Sequence, residues 1–340
     1  MDSSLRGVNI NSSERSRSEH ADTIANKISA YGSKLNSVKN NIRRVVVGQE
    51  EAIDLLLIAL LAKGHILMED VPGIGKTTLA SAMAKSLNLN FGRIQFTPDV
   101  MPSDITGFNV YNPQHGQFEF HSGAVMCQIL LADEINRSSP KTQSALLEAM
   151  QDGQVTVDGK SYKLEEPFMV LATQNSIEQL GTYPLPEAQL DRFMLKFSLG
   201  YPSIQNEVNI LKLHGEKSPL ESIQPVINES ELIELQDLCE NVYCADSLLH
   251  YLALIAQQSR RAQEIQLGVS PRGLLLLLRA AKARAVLNMR DYVLPQDIQV
   301  LAPYVLAHRI VLSESAQLSE TKAENIISQL ILTVPVPPAD

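Results

Sequence analysis

The sequence predicts an α/β protein with a P-loop and a central parallel sheet, followed by a smaller helical domain. Three observations carry this. An apolar strand runs directly into Gly73-Ile74-Gly75-Lys76-Thr77-Thr78; two further apolar runs, 129–133 and 168–173, end in polar residues; and beyond Pro202 strand signals give way to helical periodicity as far as Leu330.

The first element, from His65 through Val71 and Pro72 to Thr78, reads as strand, phosphate-binding loop and helix. Glycines let successive backbone N–H groups turn inward around an anionic phosphate, and the following helix offers its positive end to the same charge. Lys76 would reach the β- and γ-phosphates of a nucleotide, and the Thr77 hydroxyl would hold Mg²⁺. The loop pattern is complete except at its first glycine, which is Asp70. The competing interpretation is an ordinary strand-to-helix turn with a surface lysine.

Downstream, Ile129-Leu130-Leu131-Ala132-Asp133-Glu134 is an apolar strand ending in adjacent carboxylates, a Walker B pattern. Asp133 is placed to order the Mg²⁺ shell and Glu134 to polarise a water. The strand 168–173 ends at Gln174-Asn175, where the Asn175 amide could orient that water as sensor 1; alone, such an asparagine is more often a turn former. Pro184 to Phe193 then delivers Arg192, a candidate arginine finger that would offset transition-state charge, the alternative being a salt bridge to Asp191 or another acid. Ser270-Pro271-Arg272-Gly273 opens a leucine-rich helix, with Ser270 as N-cap and Arg272 in the first turn as a candidate sensor 2.

Other elements follow in order. A flexible leader, 1–20, rich in Ser, Asn and Arg, precedes a helix over 21–44 and a second over 51–63. The loop helix extends to Leu87, and 91–96 alternates as a strand. Two hairpins are expected, 108–111 with 117–120, and 154–157 with 161–164 around Asp158-Gly159. Later helices are expected over 229–243, 248–261, 271–288 and 295–311.

Together these residues resemble the AAA+ ATPases, and among them the MoxR family, from about Asn36 to Leu330. The most specific stretch is Leu131 to Arg137 with Pro140 to Met150; Ala172 to Asn175, Gly181 to Phe193 and Ser270-Pro271-Arg272 match as well. The sequence departs from the family's habit at Ser176 and at 121–124. The resemblance implies a P-loop AAA+ αβα sandwich over 21–202 and a small all-helical lid over 203–340. It implies that Gly48 and Gln49 lie against adenine and that the first hairpin is a helix 2 insertion pointing into a ring pore. The second would be a pre-sensor hairpin. Arg192 would reach the neighbouring subunit's nucleotide in a hexamer, and a von Willebrand factor A domain protein is an implied partner.

The 340 residues suit about two domains, and a net charge of −9 provides no long-range field for a nucleic-acid backbone. Cys127, Cys239 and Cys244 form no metal-ligand pattern and suit a reducing compartment. No run of apolar residues is long enough to span a bilayer, and a cytoplasmic location is expected.

The leading expectation is therefore an ATPase that uses ATP and Mg²⁺ to remodel or mature partner proteins. The alternatives are a nucleic-acid-dependent motor, which the acidic balance disfavours, and an ATP-gated assembly scaffold with little turnover. The guanine-reading Asn-Lys-x-Asp motif of small GTPases is missing.

Overall fold

The computed structural model describes residues 8–71, 73–175, 181–213 and 219–338. Pro72 and Ser176, both singled out above, lie outside the described residues. Helices α1 (Val8–Val45) and α2 (Glu50–Leu61) lead to β1 (Ile66–Glu69), α3 (Lys76–Ser86) and β2 (Phe91–Gln95). Helix α4 (Pro102–Thr106) and the hairpin β3–β4 (Gly107–Asn112, Gln117–Ser122) precede β5 (Ile129–Asp133). Helix α5 (Pro140–Asp152) and the hairpin β6–β7 (Gln154–Val157, Lys160–Lys163) precede β8 (Met169–Gln174), and α6 (Glu187–Leu190) leads into β9 (Leu195–Phe197).

The five strands of the main sheet run in the order β2-β5-β8-β1-β9, and every pairing is parallel. Parallel strands are covered by helices on both faces, which is why the three inner strands, β5, β8 and β1, read as largely apolar runs, whereas the edge strands β2 and β9 carry Arg93, Gln95 and Lys196. Strand alternation divides the covering. Ile66, Met68, Ile129, Leu131 and Leu171 pack toward α2, α3 and the lid, whereas Leu67, Leu130, Ala132, Val170 and Ala172 pack toward α5 and the hairpins. Because all strands point the same way, their polar ends share one edge: Glu69 pairs with Gln174, and Gln95 with Asp133. Open α/β sheets bind ligands at that edge.

The hairpins form where expected. Asp158 and Gly159 both adopt positive φ, +50° and +77°, as a two-residue turn of the type matching strand twist requires. Phe120 stacks on Tyr162 at 3.9 Å between ring centres, and Asn109 Nδ2 donates to Asp158 Oδ2 at 2.8 Å, so the two hairpins brace each other.

The lid comprises α7 (Ile204–Leu213), α8 (Glu229–Glu240), α9 (Asp246–Ser259), β10 (Ile265–Leu267), α10 (Pro271–Leu287), α11 (Pro295–Leu306), β11 (Val311–Leu312), α12 (Glu314–Leu318) and α13 (Ala323–Thr333). It departs from the all-helical expectation in a short antiparallel pairing of β10 with β11 and in a parallel bridge between Tyr243 and Tyr292. The helix expected over 295–311 ends at Leu306, after which a 3₁₀ turn, Ala307–Arg309, redirects the chain toward the start of β9. This redirection places two buried polar side chains, His308 and Arg309, at the domain junction.

Helix α1 begins at Val8, so the stretch expected as leader is helical from there onward. Ile24, Ile28, Leu35, Val38 and Ile42 supply its buried stripe. Lys27 Nζ and Tyr31 Oη both reach the Glu234 carboxylate of α8 at 2.7 Å, while Lys39 pairs with Asp54 of α2 at 2.8 Å. A single helix thus ties lid and sheet together. Among the described residues no helix is long and apolar enough to cross a membrane.

Candidate nucleotide-binding site

The loop between β1 and α3 opens with Gly73 at φ +87° and Gly75 at φ +91°, a backbone region that L side chains rarely occupy. A Cβ at either position would meet nothing within 4 Å. The glycines therefore serve backbone shape and leave a hollow for an incoming group. Lys76 begins α3, is 8% exposed, and donates from Nζ to the Asp70 carbonyl at 3.3 Å. Thr77 and Thr78 follow in the first helical turn, where N–H groups have no intrahelical acceptor.

Asp70, in place of the loop's first glycine, is buried against the segment that follows β9. Its carboxylate accepts from Ser198 Oγ at 2.5 Å, from Leu199 N at 2.8 Å and from Gly200 N at 3.2 Å. The residue thus anchors the base of the loop to the segment that leaves β9 for the lid.

On the facing side, Asp133 Oδ1 accepts from Thr173 Oγ1 at 2.7 Å, and Oδ2 accepts from Arg93 Nη2 at 2.9 Å. Thr173 Oγ1 also accepts from Glu134 N at 2.8 Å, so one hydroxyl orients both acids. Glu134 adopts φ +57°, which turns the chain sharply after β5. Its Oε2 accepts from Gln95 Nε2 at 2.9 Å and from Arg137 Nη1 at 3.0 Å. Gly73, Gly75, Lys76, Thr77, Thr78, Arg93, Gln95, Asp133 and Glu134 line one cleft of about 410 Å³.

The remaining expected residues lie around this cleft. Asn175 is buried just beyond β8, and its carbonyl accepts from Asn136 Nδ2 at 3.4 Å. Gly48, at φ +77°, sits at the turn into α2, where a Cβ would stand 1.8 Å from Asn206 Nδ2 of α7. Gln49 follows as the residue preceding α2, so this segment meets the first lid helix.

Arg192 and Arg272 do not line the cleft. Arg192 Nη1 donates to the Leu147 carbonyl at 2.7 Å and borders a separate hollow of about 310 Å³ with Glu148 and Asp152 of α5. The salt bridge weighed as its alternative instead joins Asp191 to two other arginines, Arg272 Nε at 3.3 Å and Arg309 Nε at 2.8 Å. Ser270 caps α10 as expected, accepting from Gly273 N at 3.2 Å, and so fixes Arg272 in the first turn.

Motif reading missed the partners of these residues. Arg93 and Gln95 sit on a strand whose alternation was recognised, and Thr173 and Arg137 fall inside quoted motifs, but nothing in their spacing assigns them partners. Arg309 carries no sequence signal at all.

Comparison with known proteins agrees with this geometry. The family described as "ATPase family associated with various cellular activities (AAA)" matches residues 65–195, and the AAA lid domain matches 257–330. A crystal structure from Cytophaga hutchinsonii, described as a proposed ATPase, superposes with a TM-score of 0.86 at 39% identity, covering 97% of this chain and 100% of that one. The chaperone MoxR1 of Mycobacterium tuberculosis is 39% identical over 87% of this chain and 80% of its own length, and the MoxR protein of Paracoccus denitrificans 30% identical over 92% and 99%. The chain belongs to the MoxR family of AAA+ ATPases. Another relative, the uncharacterized protein YeaC of Bacillus subtilis, is 51% identical over 89% of this chain and 95% of its own. Membership of the MoxR family carries nucleotide binding and ATP hydrolysis as family properties, and the β2-β5-β8-β1-β9 sheet with its helical lid is the AAA+ architecture named from the sequence.

Proposed function

We propose that this MoxR-family protein hydrolyses ATP with Mg²⁺ and couples turnover to remodelling or maturing partner proteins, working as a hexameric ring in the cytoplasm. The observation that carries the chemistry is the single cleft in which the glycine cradle, Lys76, Thr77, Asp133 and Glu134 face one another. The donor set fits the nucleotide. Open glycine N–H groups, a buried lysine and a helix N-terminus suit polyphosphate, while one hydroxyl and one carboxylate suit Mg²⁺, which commonly keeps water and substrate phosphates as its other ligands. Bound Mg²⁺ would supply charge neutralisation across the phosphates.

The chain's own residues would divide the remaining work. Glu134 would take the proton from the attacking water once its hydrogen bond to Gln95 and ion pair with Arg137 loosen, and Asn175 would orient that water. Gly48 and Gln49, beside Asn206, would flank the base.

Arg192 is directed toward α5 and borders a hollow of its own instead of the cleft, which favours its acting on the nucleotide of an adjoining subunit. A finger of this type is worth about 10³ to 10⁵ in rate, so isolated subunits would bind ATP and hardly turn it over. The protein client, with a von Willebrand factor A domain protein as a candidate companion, follows from the MoxR resemblance and from the chaperone name of the Mycobacterium relative.

The test is ATP hydrolysis per subunit against protein concentration, for the wild type and Arg192→Ala, with nucleotide binding measured separately. Specific activity should rise with concentration and collapse in the variant while ATP still binds. Activity flat with concentration and indifferent to Arg192 would refute the shared site.

A further inference from the structure

The segment that carries the arginine proposed to act across the subunit interface is held from its own lid. Arg309, at the end of the 3₁₀ turn after α11, has a side chain only 1% exposed. Its Nη2 donates to the Asp191 carbonyl at 3.2 Å and to the Phe193 carbonyl, its Nη1 to the Met194 carbonyl at 3.4 Å and to Val305, and its Nε lies 2.8 Å from Asp191 Oδ1. Apart from Val305, which belongs to α11, these acceptors flank Arg192 on both sides in sequence. We propose that Arg309 is the positioning residue for Arg192: the lid holds the 191–194 segment through this guanidinium, so lid placement sets how Arg192 is presented to its phosphate.

Three physical points support the assignment. An arginine is suited to the task, because its planar fork can satisfy several carbonyls and a carboxylate in one rigid geometry. A buried ion pair adds little net stability over apolar packing, so stability alone gives weak reason to place a guanidinium here. The neighbouring Arg272 shares Asp191 but is 53% exposed, which makes Arg309 the fixed partner and Arg272 the exchangeable one. The contacts also run directly from lid to finger-bearing segment, with no intervening side chain. Movement of the lid in one subunit would therefore be felt at the residue it offers to the next.

This inference rests on the reading that Arg192 assists phosphoryl transfer, and its test separates the two. Single-turnover and steady-state ATP hydrolysis are measured for Arg309→Lys, which keeps the charge but not the fork, and for Asp191→Asn, a milder change should the first variant fold poorly. Each should lower kcat by about 10- to 100-fold, the scale of a misplaced catalytic group, with the KM for ATP little changed. In an Arg192→Ala background the same substitutions should add nothing. Unchanged kcat in the single variants, or an equal fold-loss in the Arg192→Ala background, would overturn the proposal. Mixing Glu134→Gln subunits, which retain the finger, with Arg192→Ala subunits, which retain the pocket, reports separately on whether Arg192 works in trans. Activity restored by mixing supports that reading; its absence counts against the trans geometry while the double-variant comparison still judges Arg309.

Discussion

Asp70 accepts a hydrogen bond from the Leu199 backbone at 2.8 Å, joining the first residue of the glycine-rich loop after β1 to the chain's exit from the sheet toward the lid. Ser198 Oγ and Gly200 N add to the same carboxylate. Replacing Asp70 by the glycine usual at this position would restore the motif and remove the anchor. A buried donor left without its acceptor costs about 1–3 kcal/mol, so Asp70→Gly should lower thermal stability by at least that much and weaken ATP binding along with it. Asp70→Asn, which keeps one acceptor oxygen, should fall between. Calorimetric unfolding with and without nucleotide checks this, and a fully stable Asp70→Gly protein would show the anchor to be dispensable.

Gly48 bears two constraints at once: a positive φ of +77° and a lid side chain, Asn206, where a Cβ would have to go. Gly48→Ala should therefore displace α7 and reduce ATP affinity. Adding Asn206→Ala removes the collision and leaves only the left-handed backbone cost of about 1–2 kcal/mol, so the double variant should recover part of the lost affinity. Equal affinity for the single and double variants, read by nucleotide titration, would place the defect in the backbone alone.

What could be read from the sequence follows from how locally each feature is determined. β1, β5 and β8 were legible because strands buried on both faces need continuous apolar runs, and Gly73 and Gly75 because the loop's backbone geometry restricts the residue type. The Asp158-Gly159 turn was legible for the same local reason. Long-range polar partners were not. Arg309 meets Asp191 across more than a hundred residues, Ser198 meets Asp70 from the far end of the sheet domain, and no spacing rule connects either pair. The exit from α11 at Leu306 was also hidden, since Pro303 and the apolar residues around it continue the helical pattern without marking where the chain must turn back to β9.

Thr173 is fully buried and serves both acids at the end of β5, donating to Asp133 and accepting from the backbone of Glu134. Thr173→Val keeps the shape and removes both bonds, whereas Thr173→Ser keeps the hydroxyl. Loss of such a supporting hydrogen bond to a metal-ordering group costs about 10- to 100-fold in affinity or activity. The valine variant should therefore need more Mg²⁺ for half-maximal hydrolysis and show a lower kcat, with the serine variant near wild type. An unchanged Mg²⁺ requirement in Thr173→Val would mean that Asp133 holds its orientation through Arg93 alone.

His65 gives the fold a dependence on acid. Its Nδ1 accepts from Val170 N at 3.0 Å, which leaves the proton on Nε2 to donate to the Met150 carbonyl at 3.0 Å, so the neutral ring pins β8 to the end of α5. Burial drives its pKa down to about 4, against the Met150 carbonyl, which favours the charged form. In the unfolded chain the same ring titrates near 6.5. Between these values the unfolded state takes up a proton that the native state refuses, so acid favours unfolding. The stabilisation is complete above pH 6.5 and is lost progressively as pH falls toward 4, amounting to about 3 kcal/mol. Burial and the adjacent Arg309 push His308 in the same direction and steepen the loss. His65→Gln should be less stable than wild type at neutral pH, because it repacks the strand–helix contact, and should lose less stability on acidification. The two unfolding curves should converge near pH 4, and parallel curves would assign the acid sensitivity to other groups.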